Sequence, residues 1–340
     1  MNQLLGQRYT TAELLGTGGA SSVYRATDEN LGRDVAVKVF NPSTSDDDDY
    51  RRQHTETLLL ATLNHPGLVT LHDAGLHEDE SGRTTSFLVM EIVDGRDLRK
   101  LLKAERLGPL EVAQLGADLA DALAYIHSQG VIHRDVKPAN ILLYRTGEQD
   151  TRLYSKLTDF GIARMINATM ATATGATLGT ANYLSPEQAH GSVVDTASDI
   201  YSLGLVLLES LTGQKAFPGA VVEAAVARLL RDPEVPDSLG PVWGTLLTGM
   251  TARDPQQRPD AHEVALVLRD YALDTDESRA LRPLHGTGTG TGTDEPADPP
   301  EPVTGGVMTN GIMTGGVLTG NTITGKVHIP APPPHAPRLG

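Results

Sequence analysis

Between Val131 and Leu143 the chain sets five polar or ionisable side chains within eight residues: His133, Arg134, Asp135, Lys137 and Asn140. Apolar Val131-Ile132 and Ile141-Leu142-Leu143 flank them, so the charges sit on a loop between strand-like segments. A loop that only turned the chain would have no use for that density of charge. Asp159-Phe160-Gly161 follows nineteen residues after Asn140. Upstream, Gly16-Thr17-Gly18-Gly19-Ala20-Ser21-Ser22-Val23 joins two strand candidates. Glycines there let backbone N–H groups approach phosphate oxygens, although a glycine cluster alone also makes a plain turn. Lys38 stands fifteen residues after Val23, within the apolar run Val35-Ala36-Val37-Lys38. Glu56 shares a helical face with Leu59, Leu60 and Leu63, at i+3, i+4 and i+7. A carboxylate turned inward needs a cation, and Lys38 is the expected one.

The elements that must hold these groups are legible in outline. Tyr9 to Leu15, Ser22 to Thr27 and Asp34 to Phe40 alternate β-branched and polar residues and read as strands. The acidic run Asp46 to Asp49 reads as a solvated loop before the helix that carries Glu56. From Pro109 to Ser128, Val112, Leu115, Leu119, Leu123 and Ile126 recur at helical spacing, with Gly130 as the stop. Further helical patterns cover 199–213, 220–231, 242–251 and 260–272. The expected architecture is α+β, a small strand-rich lobe followed by a larger helical one.

Composition bounds the rest. The 340 residues carry 28 basic and 43 acidic side chains, a formal charge of −15. That balance argues against nucleic acid or an anionic membrane as the main partner. The absence of cysteine excludes a disulfide scaffold, a thiol nucleophile and Cys-ligated metal. The N-terminus lacks a basic segment followed by an apolar one, and no stretch reads as a spanning helix. Residues 302–325 are charge-free but too rich in Gly, Thr and Asn for one. The expectation is a soluble, cytoplasmic protein. Residues 281–340 hold 12 of the 35 glycines, 10 of the 21 prolines and no aromatic residue, so a tail begins near 275–285.

Ser185-Pro186-Glu187, Asp199-Ile200-Tyr201-Ser202-Leu203-Gly204 and Arg258 complete an ordered set with the Gly cluster, Lys38, Glu56, His133–Asn140 and Asp159-Phe160-Gly161. By that set, residues 8–272 resemble the eukaryotic-like (Hanks-type) protein kinases, and most closely their bacterial PknB-like serine/threonine branch. The resemblance implies a two-lobed protein kinase fold, with an N-lobe over about 8–93 and a C-lobe over about 94–272. It implies ATP and Mg²⁺ as cofactors, with Mn²⁺ able to substitute. Asp135 would accept or orient the substrate hydroxyl proton, Lys137 would steady the γ-phosphate, and Lys38, paired with Glu56, would hold the α- and β-phosphates. The nucleotide would contact Leu15, Gly16, Gly18, Gly19, Val23, Ala36 and Leu142. Met90 would be the gatekeeper, Glu91 and Val93 the adenine-binding hinge, and Asp97 the ribose contact. Asn140 and Asp159 supply the hard oxygens that magnesium prefers. Leu60, His133 and Phe160 would stack between the lobes, and Glu187 would pair with Arg258. The interval from Asn140 to Asp159 exceeds the family's by about half a dozen residues. Tyr144 to Ser155 is therefore expected to be a lengthened hairpin.

The implied activity is phosphorylation of protein serine or threonine. Regulatory phosphorylation is expected at Thr172 and Thr174, where a phosphate would recruit Arg134 and Arg52. Thr180 would contact Asp135 and Lys137. A pseudokinase-like scaffold is the alternative, and its signature would be the loss of Lys38, Asp135 or Asp159. Expected partners are protein substrates, with self-association through the kinase lobe or the tail as a second expectation. The tail reads as a Gly/Thr and acidic Pro-rich linker over 273–302, a five-residue repeat over 303–329 and a Pro-rich terminus over 330–340. The repeat (TGGVM, TNGIM, TGGVL, TGNTI, TGKVH) reads first as low complexity. Its alternative is a β-prone segment that orders on association.

Overall fold

The computed structural model describes residues 3–18, 21–40, 62–79, 82–147, 152–159 and 181–280. Six strands form an antiparallel sheet in the order β1-β2-β3-β4-β6-β5: β1 (Leu4–Leu5), β2 (Tyr9–Thr17), β3 (Ser21–Asp28), β4 (Arg33–Phe40), β5 (Leu71–Glu78) and β6 (Thr84–Met90). Strand alternation divides this sheet into two faces. Cross-strand pairs Tyr24–Val37, Ala26–Val35, Val37–Val89 and Val39–Phe87 put the larger apolar side chains on one face. There Leu5, Tyr9, Ala26, Val35, Val37, Phe87 and Val89 pack into a small core. The pairs Val23–Lys38, Ala36–Met90 and Lys38–Leu88 put Val23, Ala36, Lys38, Leu88 and Met90 together on the other face.

The helical part begins where β6 ends. β7 (Gly95–Asp97), β8 (Ile141–Tyr144) and β9 (Tyr154–Leu157) make a three-stranded sheet in that order. A Cβ at Gly95 would overlap the Leu143 carbonyl, so only glycine lets β7 lie this close to β8. Tyr144 pairs with Tyr154, so β8 and β9 run antiparallel as the two arms of a hairpin. Around this sheet lie α1 (Leu98–Ala104), α2 (Pro109–Ser128), α3 (Pro186–His190), α4 (Thr196–Thr212), α5 (Val221–Leu230), α6 (Pro241–Met250) and α7 (Ala261–Ala280).

α2 is the central element of the larger core. Val112, Leu115, Leu119, Leu123 and Ile126 are each fully buried, as their spacing requires, and each buried side chain of this size stabilises the fold by about 1.5–3 kcal/mol. Gly116 lets α2 approach its neighbours, because a Cβ there would stand 2.8 Å from Leu268 and 3.0 Å from Leu207. α4 is buried nearly all round, and its buried polar residues include Ser198, Asp199 and Ser202. Buried polar groups in an apolar helix need partners, and those partners belong to the site. Among the described residues, no helix is long and apolar enough to cross a membrane.

Candidate active site

The polar loop runs from α2 into β8, and one buried carboxylate holds it. Asp199 Oδ2 accepts from the His133 backbone N–H at 2.8 Å, and Oδ1 from that of Arg134 at 2.7 Å. The His127 ring, at the end of α2, meets the same carboxylate at 2.9 Å. These bonds brace a strained backbone: Arg134 has φ of +65°, unusual for a residue with a side chain.

His133 is wholly buried and braces the loop from inside. Its Nδ1 accepts from the Asp135 N–H at 3.3 Å, so Nε2 carries the proton and donates to the Thr158 carbonyl at 3.0 Å. Burial pushes the imidazole pKa down and keeps the ring neutral, as that pattern needs. The bond to Thr158 ties the loop to the residue before Asp159. The Thr158 N–H donates to the Asn140 carbonyl at 2.9 Å, which closes the link.

The reactive groups converge on this frame. Lys137 Nζ lies 2.7 Å from Asp135 Oδ2. The Asn140 amide nitrogen donates to the Asp135 carbonyl at 2.9 Å and to its Oδ2 at 3.0 Å. Asp159, with φ of +60°, holds its Oδ1 2.7 Å from Lys38 Nζ. This ion pair joins the first sheet to the loop side of the molecule across 121 residues of sequence. Lys38 keeps a tenth of its side chain exposed and Asp159 a third, so the pair is desolvated mainly at the lysine.

A divalent cation fits the donors that remain. The Asn140 nitrogen is committed to Asp135, which leaves its amide oxygen. The Asp159 carboxylate gives one oxygen to Lys38 and keeps a second. One carboxylate and one amide oxygen suit Mg²⁺, which retains waters and takes substrate phosphate oxygens as further ligands. Among the described residues there is no cluster of three or more His, Asp or Glu that would make an all-protein cage.

Other expected site residues are placed as follows. Gly16 pairs with Val23 across the glycine turn, and the Gly18 N–H donates to the Ser21 carbonyl at 2.8 Å. Leu15 is exposed. Val23, Ala36 and Met90 share the Lys38 face of the sheet, and Leu142 comes from β8, opposite Asp97 and Lys156. The Glu91 carboxylate accepts from the Thr70 N–H at 2.8 Å and from Lys156 Nζ, while the Glu91 N–H donates to the Thr70 carbonyl at 2.9 Å. Val93 is half-buried in the link between the two sheets. Asp97 caps α1, accepting from the Lys100 N–H at 2.9 Å. Gly19, Glu56, Leu60, Phe160, Thr172, Thr174 and Thr180 lie outside the described residues, as does the repeat over 303–329.

Ser185-Pro186-Glu187-Gln188 folds as local rules require. Ser185 caps α3, Pro186 takes its first position, and Gln188 completes the capping box. The Gln188 side-chain nitrogen then donates to the Arg134 carbonyl at 2.9 Å, beside Asp135. Glu187 and Arg258 form the expected buried pair, bidentate at 2.7 and 2.9 Å. Burial alone would raise the Glu187 carboxyl; the Arg258 guanidinium and the Ser198 hydroxyl more than offset it and hold its pKa at about 2.

Sequence reasoning missed the loop-holding role of Asp199, the link from Gln188 and the Glu91–Lys156 tie. Asp199 was visible as the first residue of the Asp199–Gly204 motif and as a carboxylate inside a largely apolar helix, but neither signal shows what it holds.

Comparison with known proteins follows the same lines. The profile of the protein kinase domain matches residues 9–266. The chain is 43% identical over 237 residues to serine/threonine-protein kinase PknB of Mycobacterium leprae, an alignment covering 69% of this chain and 37% of the relative. It is 39% identical over 287 residues to PknB of Mycolicibacterium smegmatis, covering 82% of this chain and 44% of the relative. It is 38% identical over 272 residues to serine/threonine-protein kinase PknA of Mycobacterium tuberculosis, covering 77% and 62%. The chain thus spans roughly two-fifths to three-fifths of the length of these curated relatives.

Proposed function

We propose that this chain, which belongs to the protein kinase domain family, transfers the γ-phosphoryl group of ATP to serine or threonine hydroxyls of proteins. The observation that carries the reading is a pair of ion pairs, Lys38–Asp159 and Lys137–Asp135, each at 2.7 Å, with Asn140 bonded to Asp135 by its side chain and, by its carbonyl, to the Thr158 N–H beside Asp159. Phosphoryl transfer needs positioning and charge neutralisation rather than a covalent nucleophile, and these groups supply both. A new bond forms between the acceptor oxygen and the γ-phosphorus as the bond to the ADP oxygen breaks. Asp135 orients the acceptor hydroxyl and takes its proton. Lys137 steadies the transferring group, and Lys38 holds the phosphates behind it, with backbone N–H groups of the glycine turn above. Mg²⁺, held by Asn140 and Asp159, would neutralise phosphate charge. Met90, Glu91, Val93, Ala36, Val23, Leu15 and Leu142 would enclose the adenine, and Asp97 would meet the ribose.

The names of the relatives support serine/threonine as the acceptor. The scaffold alternative lacks support, since Lys38, Asp135 and Asp159 are all retained. The proposal extends to a kinase domain over 8–272, autophosphorylation at Thr172 and Thr174, action in the cytoplasm and a tail whose repeat mediates association. Lys38→Met and Asp159→Asn should each abolish transfer from radiolabelled ATP while the far-UV spectrum is unchanged. Normal turnover by either variant would refute the proposal.

A further inference from the structure

Arg228 is a cation on the inner face of a helix. α5 exposes Val222, Val226 and Leu230 at 72, 47 and 73%, whereas Ala224 and Arg228 are fully buried. The register therefore seats a guanidinium where an amphipathic helix would place a leucine. Burying that group is costly unless acceptors meet it. Its Nε donates to the Ala224 carbonyl at 2.9 Å, one turn back, and an Nη donates to the Leu184 carbonyl. Its plane lies 5.1 Å from the Phe217 ring centre. Tyr201, Leu205, Phe217 and Ala224 pack together around it, with Tyr183 against them.

Leu184 immediately precedes Ser185-Pro186-Glu187-Gln188. The same stretch is held at two other points. The Tyr183 carbonyl accepts from Ser202 Oγ at 2.7 Å, and Gln188 reaches the Arg134 carbonyl, next to Asp135. Among the described residues, the hydrogen-bond and ion-pair partners of 183–188 come from α4, α5, Arg258 and the Asp135 loop, not from the sheet face that carries Lys38. Through Gln188 the segment is thus tied to the loop that carries Asp135, the residue assigned to the acceptor hydroxyl.

We infer that Arg228 is a positioning residue for the protein substrate: by holding the Leu184 carbonyl it fixes the 181–188 segment against which the acceptor peptide is laid beside Asp135. The inference rests on the kinase reading. α5 thereby acts on the acceptor without touching the nucleotide.

The test is Arg228→Met, which keeps the volume and removes the donors, with Arg228→Lys as its conservative partner. The KM for a serine/threonine peptide should rise roughly tenfold in the Met variant, the scale of one lost charge-assisted hydrogen bond, with the KM for ATP within about twofold of wild type. Lysine keeps the charge on a single donor nitrogen but cannot span both carbonyls, so its peptide KM should fall between the two. Hydrogen exchange on the resting enzyme should show faster exchange confined to 181–188 in the Met variant. An unchanged peptide KM, a parallel rise for ATP, or unchanged exchange at 181–188 in a folded variant would overturn the inference. If Arg228→Met fails to fold, the lysine variant decides by the same readouts. Failure of the kinase reading would show separately, as absence of transfer by the wild type, and the exchange measurement would still judge Arg228.

Discussion

Replacing Asp199 by asparagine is a near-isosteric change that removes charge and one acceptor. The carboxylate accepts from the backbone of His133 at 2.8 Å, from that of Arg134 at 2.7 Å and from the His127 ring at 2.9 Å. A carboxamide has one oxygen to offer. Its nitrogen would face one of the two N–H groups, and a buried donor would be left unpaired. Such a donor costs about 1–3 kcal/mol, and weakening the remaining charge-assisted bonds adds about 1 kcal/mol. The expected destabilisation is therefore about 3 kcal/mol, or roughly 6–12 °C in Tm for a domain of this size. Because these N–H groups fix the backbone on either side of Arg134, the reactive carboxylate of Asp135 shifts with them. A misplacement on the order of 1 Å lowers kcat about 100-fold. Nucleotide affinity should change little, since Lys38 and the sheet are untouched. His127→Leu is the control: it removes the ring but leaves both backbone bonds, so it should cost about 1 kcal/mol and spare most of kcat. Denaturant titration, with peptide kinetics below the transition, checks both. A folded Asp199→Asn with wild-type kcat would refute the claim that this carboxylate sets the loop, and so would equal kcat losses in the two variants.

The Glu187–Arg258 pair predicts an acid limb of stability. A carboxyl held at about 2, against 4.5 in the unfolded chain, contributes about 3 kcal/mol above pH 4.5, and this is lost as pH falls from 4.5 towards 2. Urea midpoints of Glu187→Gln should be lower at neutral pH and flatter across that window, and an unchanged acid slope would contradict the pairing. Arg258→Leu strands the carboxylate and should cost about 3–5 kcal/mol by the same titration. Mass spectrometry of purified protein should find phosphate on Thr172 and Thr174, absent when Asp135 is replaced by Asn; an unmodified peptide in a fully active enzyme would contradict it.

Much of the fold was readable because its elements obey local rules. The stripe Val112 to Ile126 predicts α2 to the residue, since every member is buried against one core. β5 was harder to see. It lies at the sheet edge, where Leu71-His72-Asp73-Ala74-Gly75 can stay polar without losing hydrogen bonds to the interior. The ion pair of Glu187 with Arg258 was legible from the family resemblance, and so was the meeting of Asp135 with Lys137 and Asn140. The Lys38–Asp159 contact was not. Sequence pattern offered Lys38 a partner on the neighbouring helix, and only the three-dimensional path brings a carboxylate from 121 residues away. Asp199 and Arg228 share that limit: periodicity shows that a charge points inward, and the fold alone supplies what meets it.

Asp135, steadied by Lys137 and Asn140, is assigned to the acceptor hydroxyl while other residues hold ATP, and the whole functional reading turns on that division. Single-turnover transfer of labelled γ-phosphate to a threonine peptide by Asp135→Asn, with nucleotide affinity measured on the same preparation, tests it most directly. The transfer step should be at least about 100-fold slower, with nucleotide affinity within about twofold of wild type. Transfer at the wild-type rate, or a loss explained wholly by weaker nucleotide binding, would contradict it.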